Sequence, residues 1–257
     1  MLHWVDDTTP LPPPRLAMGP DSDAPGLLAA GGRVTPQRLL EAYSQGIFPW
    51  YSAGQPVLWW SPDPRMVLPV DRFHLSHSLK KTLRRFLRTP GSTVRFDSDF
   101  AAVMQACATT PRDDQDGTWI LPAMVDAYTL GHHAGFVHSV ETYIDGALAG
   151  GLYFVNLGRM CFGESMFAWR TDASKIALAA LVAACRARGV ALIDCQQNTG
   201  HLARFGAHEV PRSVFEGHLA QTVHATPVPD WTYDELAWAA LLDDPITPER
   251  VAVQPAA

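Results

Sequence analysis

Two acids and an amide stand where the sequence otherwise writes apolar strands. In GESMF, Glu164 lies among Phe162, Met166 and Phe167. In LIDCQ, strand alternation places Asp194 and Gln196 on one side and Cys195 on the other. A carboxylate on a buried strand is costly unless it is paired or hydrogen-bonded. Taken singly, each acid could be half of a structural ion pair; two of them on core strands of one small sheet favour a site. Gln196 cannot ionise, so it can hold or orient a reacting group but is not a base by itself. Asp172 and Ser174, ahead of a long helical stretch, read as capping residues. His132, His133 and His138 cluster without cysteine or carboxylate partners at ligand spacing, so no metal site is expected.

A second group of residues suits phosphate rather than proton chemistry. In SHSLKKTLRRFLR, residues 76–88, Lys80, Lys81, Arg84, Arg85 and Arg88 occur with no acid among them. At helical spacing Lys81, Arg84, Arg85 and Arg88 share a face, with Lys80 at its edge, while Leu79, Leu83, Phe86 and Leu87 turn inward. Such a face is either simply solvated or a phosphate-binding patch, and it stands out in a chain of net charge −6. Trp50, Tyr51, Trp59 and Trp60 fall in a Pro-rich, non-helical stretch, and Trp119 follows a polar loop. Any one of these aromatics could be core; beside a cationic patch, an aromatic can instead stack on an unpaired base.

The elements that must position these residues are legible in outline. The chain has 257 residues, 47% of them hydrophobic and 18% charged, a globular composition with room for one large domain or a small one plus a medium one. No apolar run approaches the ~20 residues of a membrane span, and the N-terminus lacks the pattern of a secretory signal. Cys107, Cys161, Cys185 and Cys195 have neither CxxC nor zinc spacing, so free thiols in a reducing cytosol are expected. After a Pro-rich lead-in, Thr35-Pro36 opens a helix whose face carries Leu39, Leu40 and Tyr43 and which Gly46 ends. The basic helix follows, then a strand over 93–96 and helices near 99–108 and from Pro122. VHSVETYI, ALAGGLYFVNL and MCFGESMF, joined at Asp145-Gly146 and Gly158-Arg159, read as an antiparallel meander. A helix from Ser174 to Arg188, the buried strand VALIDCQ, and a further helix and strand complete that region. Thr232 and Glu235 have capping-box spacing for one last helix.

GLLAAGG, GIFPWYS, VLWWSPDPR, GTWI, GGLYFVNLG, FGESMF, DASK and LIDCQ, in that order, resemble leucyl/phenylalanyl-tRNA–protein transferase from about Gly26 to Phe215. The resemblance implies an α/β (α+β) chain: a small N-terminal lobe (1–70), a larger N-acetyltransferase-like lobe (71–225) with a mixed, mostly antiparallel sheet flanked by helices, and a C-terminal extension (226–257). The strand order of the meander and the elements after it agrees with that independently. The resemblance implies transfer of Leu, Phe or Met from aminoacyl-tRNA to the N-terminal Arg or Lys of an acceptor protein, marking it for degradation by the N-end rule, by a cytoplasmic monomer with no cofactor and no membrane. It also assigns roles: Trp50 and Trp119 to the 3′-terminal adenosine, Leu152, Met166, Leu178 and Ile193 to the side-chain pocket, and Glu164, Asp194 and Gln196 to the reacting centre. Lys81, Arg84 and Arg85 match basic positions for the acceptor stem. AWRTDASK lacks the Gly-rich loop with which acetyltransferases cradle a CoA pyrophosphate.

The chemistry implied is undemanding. The donor ester is already activated, and a protein α-amine, with a pKa of about 7.7–8.0, is partly neutral near pH 7. Alignment of amine and carbonyl can supply about 7–11 kcal/mol. Gln196 is expected to accept a hydrogen bond from the amine, Asp194 to polarise and orient Gln196, and Glu164 to hold an amine, either the donor's or the acceptor's. The alternatives are an acyl-CoA-dependent N-acetyltransferase, which the missing Gly-rich loop disfavours, and a non-catalytic tRNA-binding module, which leaves the acids on core strands unexplained.

Overall fold

The computed structural model describes residues 2–110 and 120–243. Near the N-terminus, β1 (His3–Val5), β2 (Leu27–Gly31), β3 (Phe48–Pro49) and β4 (Leu58–Trp60) form a small sheet in the order β1-β2-β4-β3. The Pro-rich lead-in is therefore anchored: β1 pairs in parallel with β2. Between β2 and β3 lies α1 (Pro36–Ser44), whose N-cap Thr35 accepts from the Arg38 amide, as its residue type and position predict.

The larger sheet begins with β5 (Arg65–Pro69). Then come α2 (His77–Arg88), β6 (Thr93–Phe96), α3 (Phe100–Thr109), α4 (Pro122–His133), β7 (Val137–Ile144), β8 (Ala147–Leu157) and β9 (Met160–Ala168). After these follow α5 (Ala173–Ala187), β10 (Leu192–Gln196), α6 (Gly200–Ala203), β11 (His208–Val210), α7 (Arg212–Thr222) and α8 (Glu235–Asp243). The strand order is β11-β5-β10-β9-β8-β7-β6. Every pairing is antiparallel except β9 with β10. The meander forms as its alternation predicts, its first turn at Asp145-Gly146 taking φ of 54° and 76°. β5 pairs with β10 and β11, so residues 65–69 belong to the larger sheet although they lie within the first 70 residues.

Both faces of this sheet are covered. On β8, Leu152 and Phe154 join one core with α2 and α5, while Tyr153 and Val155 join a second with α1, α3 and α4. α5 is apolar nearly all round and buried over most of its length, because α8 covers the side that the sheet does not. Its start presses onto β8 at Gly150, where a Cβ would lie 2.6 Å from that of Ala173. That close approach sets the start of α5 beside the cleft between the two sheets.

Local sequence signals were overridden in two places. Asp172 does not cap α5 with its side chain; it sits in the left-handed region at φ 64°, and its carboxylate accepts from Lys175 and Thr82 instead. At α8 the observed capping contact is the Ala237 amide donating to Asp234 Oδ1 at 3.3 Å, in place of a Thr232/Glu235 box. The extension is no loose tail up to residue 243. Val228, Trp231, Trp238, Leu241 and Leu242 are buried in the α5 core, and Arg188 donates to the carbonyls of Asp230 and Thr232.

Candidate active site

A cleft of about 670 Å³ opens where the small sheet meets the larger one. Phe48, Pro49 and Trp50 border it from the small lobe, and Leu152, Met166, Leu178 and Ile193 form apolar wall. Glu164 and Gln196 supply polar groups along the same cleft. Trp50 is fixed from behind, since Trp60 Nε1 donates to its carbonyl at 2.7 Å and the two rings pack at 5.5 Å.

Glu164 is the convergence point. Tyr43 Oη, from α1, lies 2.6 Å from its Oε1, Tyr128 Oη, from α4, lies 3.1 Å from its Oε2, and Gln196 Nε2 donates to Oε1 at 2.9 Å. The two phenol oxygens are themselves 2.6 Å apart. Three close contacts join these oxygens, but two phenols carry only two protons; a protonated Glu164 supplies the third. Its acidity agrees: burial pushes its pKa up to about 8, against the lowering effect of the two tyrosines, with the Asp194 charge adding to the rise. Burial also holds both phenols well above the ordinary tyrosine range.

Asp194 lies behind the wall, not on it. It is fully buried and saturated: Arg65 Nε donates to Oδ1 at 2.8 Å, Arg65 Nη2 to Oδ2 at 2.6 Å, and the Gln196 amide to Oδ1 at 2.9 Å. Arg65 in turn donates to the Gly46 carbonyl and lies over the rings of Phe48 and Phe215. The expected alternation, with Asp194 and Gln196 together and Cys195 opposite, is corrected here: Cys195 and Gln196 both border the cleft. The cause is a break in register between Asp194 and Gln196, where Gln196 takes φ 62°. Asp194 thus reaches Gln196 through its backbone amide, and the Gln196 side chain is left to face Glu164. The Cys195 thiol is pushed well up by burial and stays neutral beside the cleft.

Of the other residues singled out in the sequence, Lys81, Arg84 and Arg85 are exposed on α2, and no ion pair engages them among the described residues. That helix adjoins the cleft through Thr82, whose hydroxyl donates to Asp172 just before α5, while Ser174 borders the cleft. Trp119 lies outside the described residues. His132 and His138 gather on Asp97, at 3.8 and 2.8 Å, away from the cleft. Sequence reasoning passed over Tyr43, Tyr128 and Arg65. Tyr43 reads in the sequence only as part of an apolar helix face. Arg65 carried a usable signal, a cation heading the apolar run RMVLPV, of the same kind that drew attention to the two acids.

A family model described as leucyl/phenylalanyl-tRNA protein transferase matches residues 67–220, and that of the N-terminal domain of the same family matches residues 32–63. Among curated proteins, the leucyl/phenylalanyl-tRNA–protein transferase of Methylibium petroleiphilum is 66% identical over 232 residues, covering 90% of this chain and 88% of the relative. Its counterpart in Leptothrix cholodnii is 61% identical over 246 residues, covering 95% and 96%. That of Cupriavidus metallidurans is 59% identical over 235 residues, covering 91% and 94%.

Proposed function

Since this chain belongs to the leucyl/phenylalanyl-tRNA–protein transferase family, we propose that the cleft bordered by Glu164 is where its donor ester meets the acceptor amine. The enzyme is an aminoacyltransferase that uses aminoacyl-tRNA and an acceptor protein. The observation that carries the site is the meeting of Tyr43, Tyr128 and Gln196 on one carboxyl group at the edge of an apolar cleft.

In this reading the transferred side chain lies against Leu152, Met166, Leu178 and Ile193. Unbranched or γ-branched apolar groups of the size of Leu, Phe or Met fill such a wall, whereas polar ones would lose hydrogen bonds on entry. Trp50, together with Trp119, takes the terminal adenosine by stacking. Lys81, Arg84 and Arg85 hold phosphates of the acceptor stem.

Gln196 gives its amide proton to Glu164, which leaves its carbonyl oxygen to accept from the attacking amine. Glu164, with a pKa near that of a protein α-amine, is matched for exchanging a proton with one. Asp194 does not touch the reacting atoms; paired with Arg65, it fixes the backbone of Gln196 and so acts as a positioning residue. The nitrogen attacks the ester carbonyl, the bond to the 3′-oxygen of the ribose breaks, and the proton that the amine gives up ends on that oxygen, restoring the 3′-hydroxyl. The acceptor begins with Arg or Lys, whose cation the net charge of −6 favours over long range. The product, in the cytoplasm, is marked for degradation, and the enzyme works as a monomer.

The test is to mix the protein with leucyl-tRNA and a peptide beginning with Arg, and weigh the peptide. Addition of one leucyl residue at its N-terminus is expected; an unchanged mass, or modification by acetyl-CoA alone, would overturn the reading.

A further inference from the structure

The RNA has to travel from the basic face of α2 to the cleft, and the residues that border the cleft differ in character. On the small-lobe side stand Phe48, Pro49 and Trp50, which offer ring faces and no charge. Ser174, Thr199 and His201 also border the cleft, and His201 is the one basic side chain among the described residues that do so. Two cations back it up. Lys175 follows Ser174 at the start of α5, and Arg204 follows α6, whose His201 it accompanies; both act on the His201 ring electrostatically.

We propose that Lys175, His201 and Arg204 form a subsite for the phosphodiesters between the last nucleotides of the tRNA 3′ end, distinct from the basic face of α2. The proposal rests on the transferase reading and adds where the single-stranded backbone runs. Lys175 Nζ donates to Asp172 Oδ1 at 2.7 Å, and Thr82 of α2 donates to the other oxygen of the same carboxylate at 3.4 Å. The ammonium keeps two further protons for an anion. Against the single charge of Asp172, Lys175 and Arg204 leave a local excess of one positive charge. Arg204 is exposed and forms no ion pair among the described residues. Burial, then the charges of Lys175 and Arg204, lower the His201 pKa. This arrangement divides the labour: bases stack on the Trp50 wall while the backbone that joins them faces the cations.

The experiment compares wild type with the Lys175→Ala/Arg204→Ala double variant on two donors, leucyl-tRNA and leucyl-adenosine, which has no phosphate. With leucyl-tRNA, kcat/KM should fall about tenfold, mainly through KM. With leucyl-adenosine it should stay within about twofold. On a log–log salt plot, the slope of binding should become shallower by about 0.7 for each phosphate that the variant no longer neutralises. Lys175→Arg in place of Lys175→Ala should recover part of the affinity. Equal losses on both donors, or none on leucyl-tRNA, would overturn the subsite. A binding arm needs no transfer: wild type should hold the trinucleotide CpCpA more tightly than adenosine, and the double variant should narrow the gap. If wild type binds the two alike, the subsite is wrong. A wild type that transfers from neither donor would sink the transferase reading, and the binding arm would still decide the subsite by itself.

Discussion

Glu164 and Asp194 lie within one strand pair of each other and answer burial in opposite ways. Among the described residues Glu164 has no cation bonded to it, and burial outweighs the lowering effect of its hydrogen bonds with Tyr43 and Tyr128, raising its pKa from 4.5 to about 8. Between those values the folded chain holds a proton that the unfolded chain has released. The stability contributed by this group is full below about 4.5 and is lost as pH rises through about 8. Glu164→Gln should therefore gain on wild type as pH rises: the Tm difference, variant minus wild type, should be more positive at pH 9 than at pH 5. A difference that is flat with pH would show that the carboxyl is not perturbed. Asp194 instead has Arg65, and both are fully buried. Asp194→Ala leaves the guanidinium without its counter-charge, which should cost about 3–5 kcal/mol in urea denaturation and lower turnover as Gln196 loses its anchor. An unchanged midpoint would contradict the buried pair.

At the scale of elements, α2 and α5 serve the cleft from outside it. The inward face of α2, with Leu79, Leu83 and Phe86 buried, fixes the helix, so its outward cations are free to differ without loss of fold. Lys81→Ala with Arg84→Ala should weaken tRNA binding and make its salt slope shallower by about 2, since each substituted residue leaves one phosphate to its counterions, while kcat is kept. Equal tRNA affinity of wild type and the double variant at low salt would refute the role of that face. The helices α1 and α4 carry Tyr43 and Tyr128, whose sequence separation is 85. Neither helix brings the two hydroxyls together by itself; they meet on Glu164 because α1 packs against α4.

For the molecule as a whole, residues 226–243 of the C-terminal extension are part of the core of the larger lobe. Trp231 packs edge-on to Phe154 at 4.8 Å, lies beside His138 and has the Arg188 guanidinium over its ring. Trp231→Ala should lower stability by about 3–5 kcal/mol in equilibrium denaturation. A drop below about 1 kcal/mol would mean that residues 226–243 do not help hold α5 in place. The cleft depends on such distant support, because it lies between two sheets and no single element encloses it.

Much of this was legible from the chain alone. The Asp-Gly turn, the period of two in the meander, the Thr35-Pro36 helix start and the clustered cations of α2 are local patterns with local causes, and they appear in the fold where the chain places them. The ordered motif set was enough to place the family. The sequence also brought forward seven residues that border the cleft or its wall: Trp50, Leu152, Glu164, Met166, Leu178, Ile193 and Gln196. What it misassigned was the direction of Asp194, because alternation assumes an unbroken strand and the left-handed Gln196 breaks it. What it could not reach was the pairing of Arg65 with Asp194 across a separation of 129 residues. That contact requires β5 to lie beside β10, and sheet order is set by how whole faces are buried together, which no local run of residues encodes.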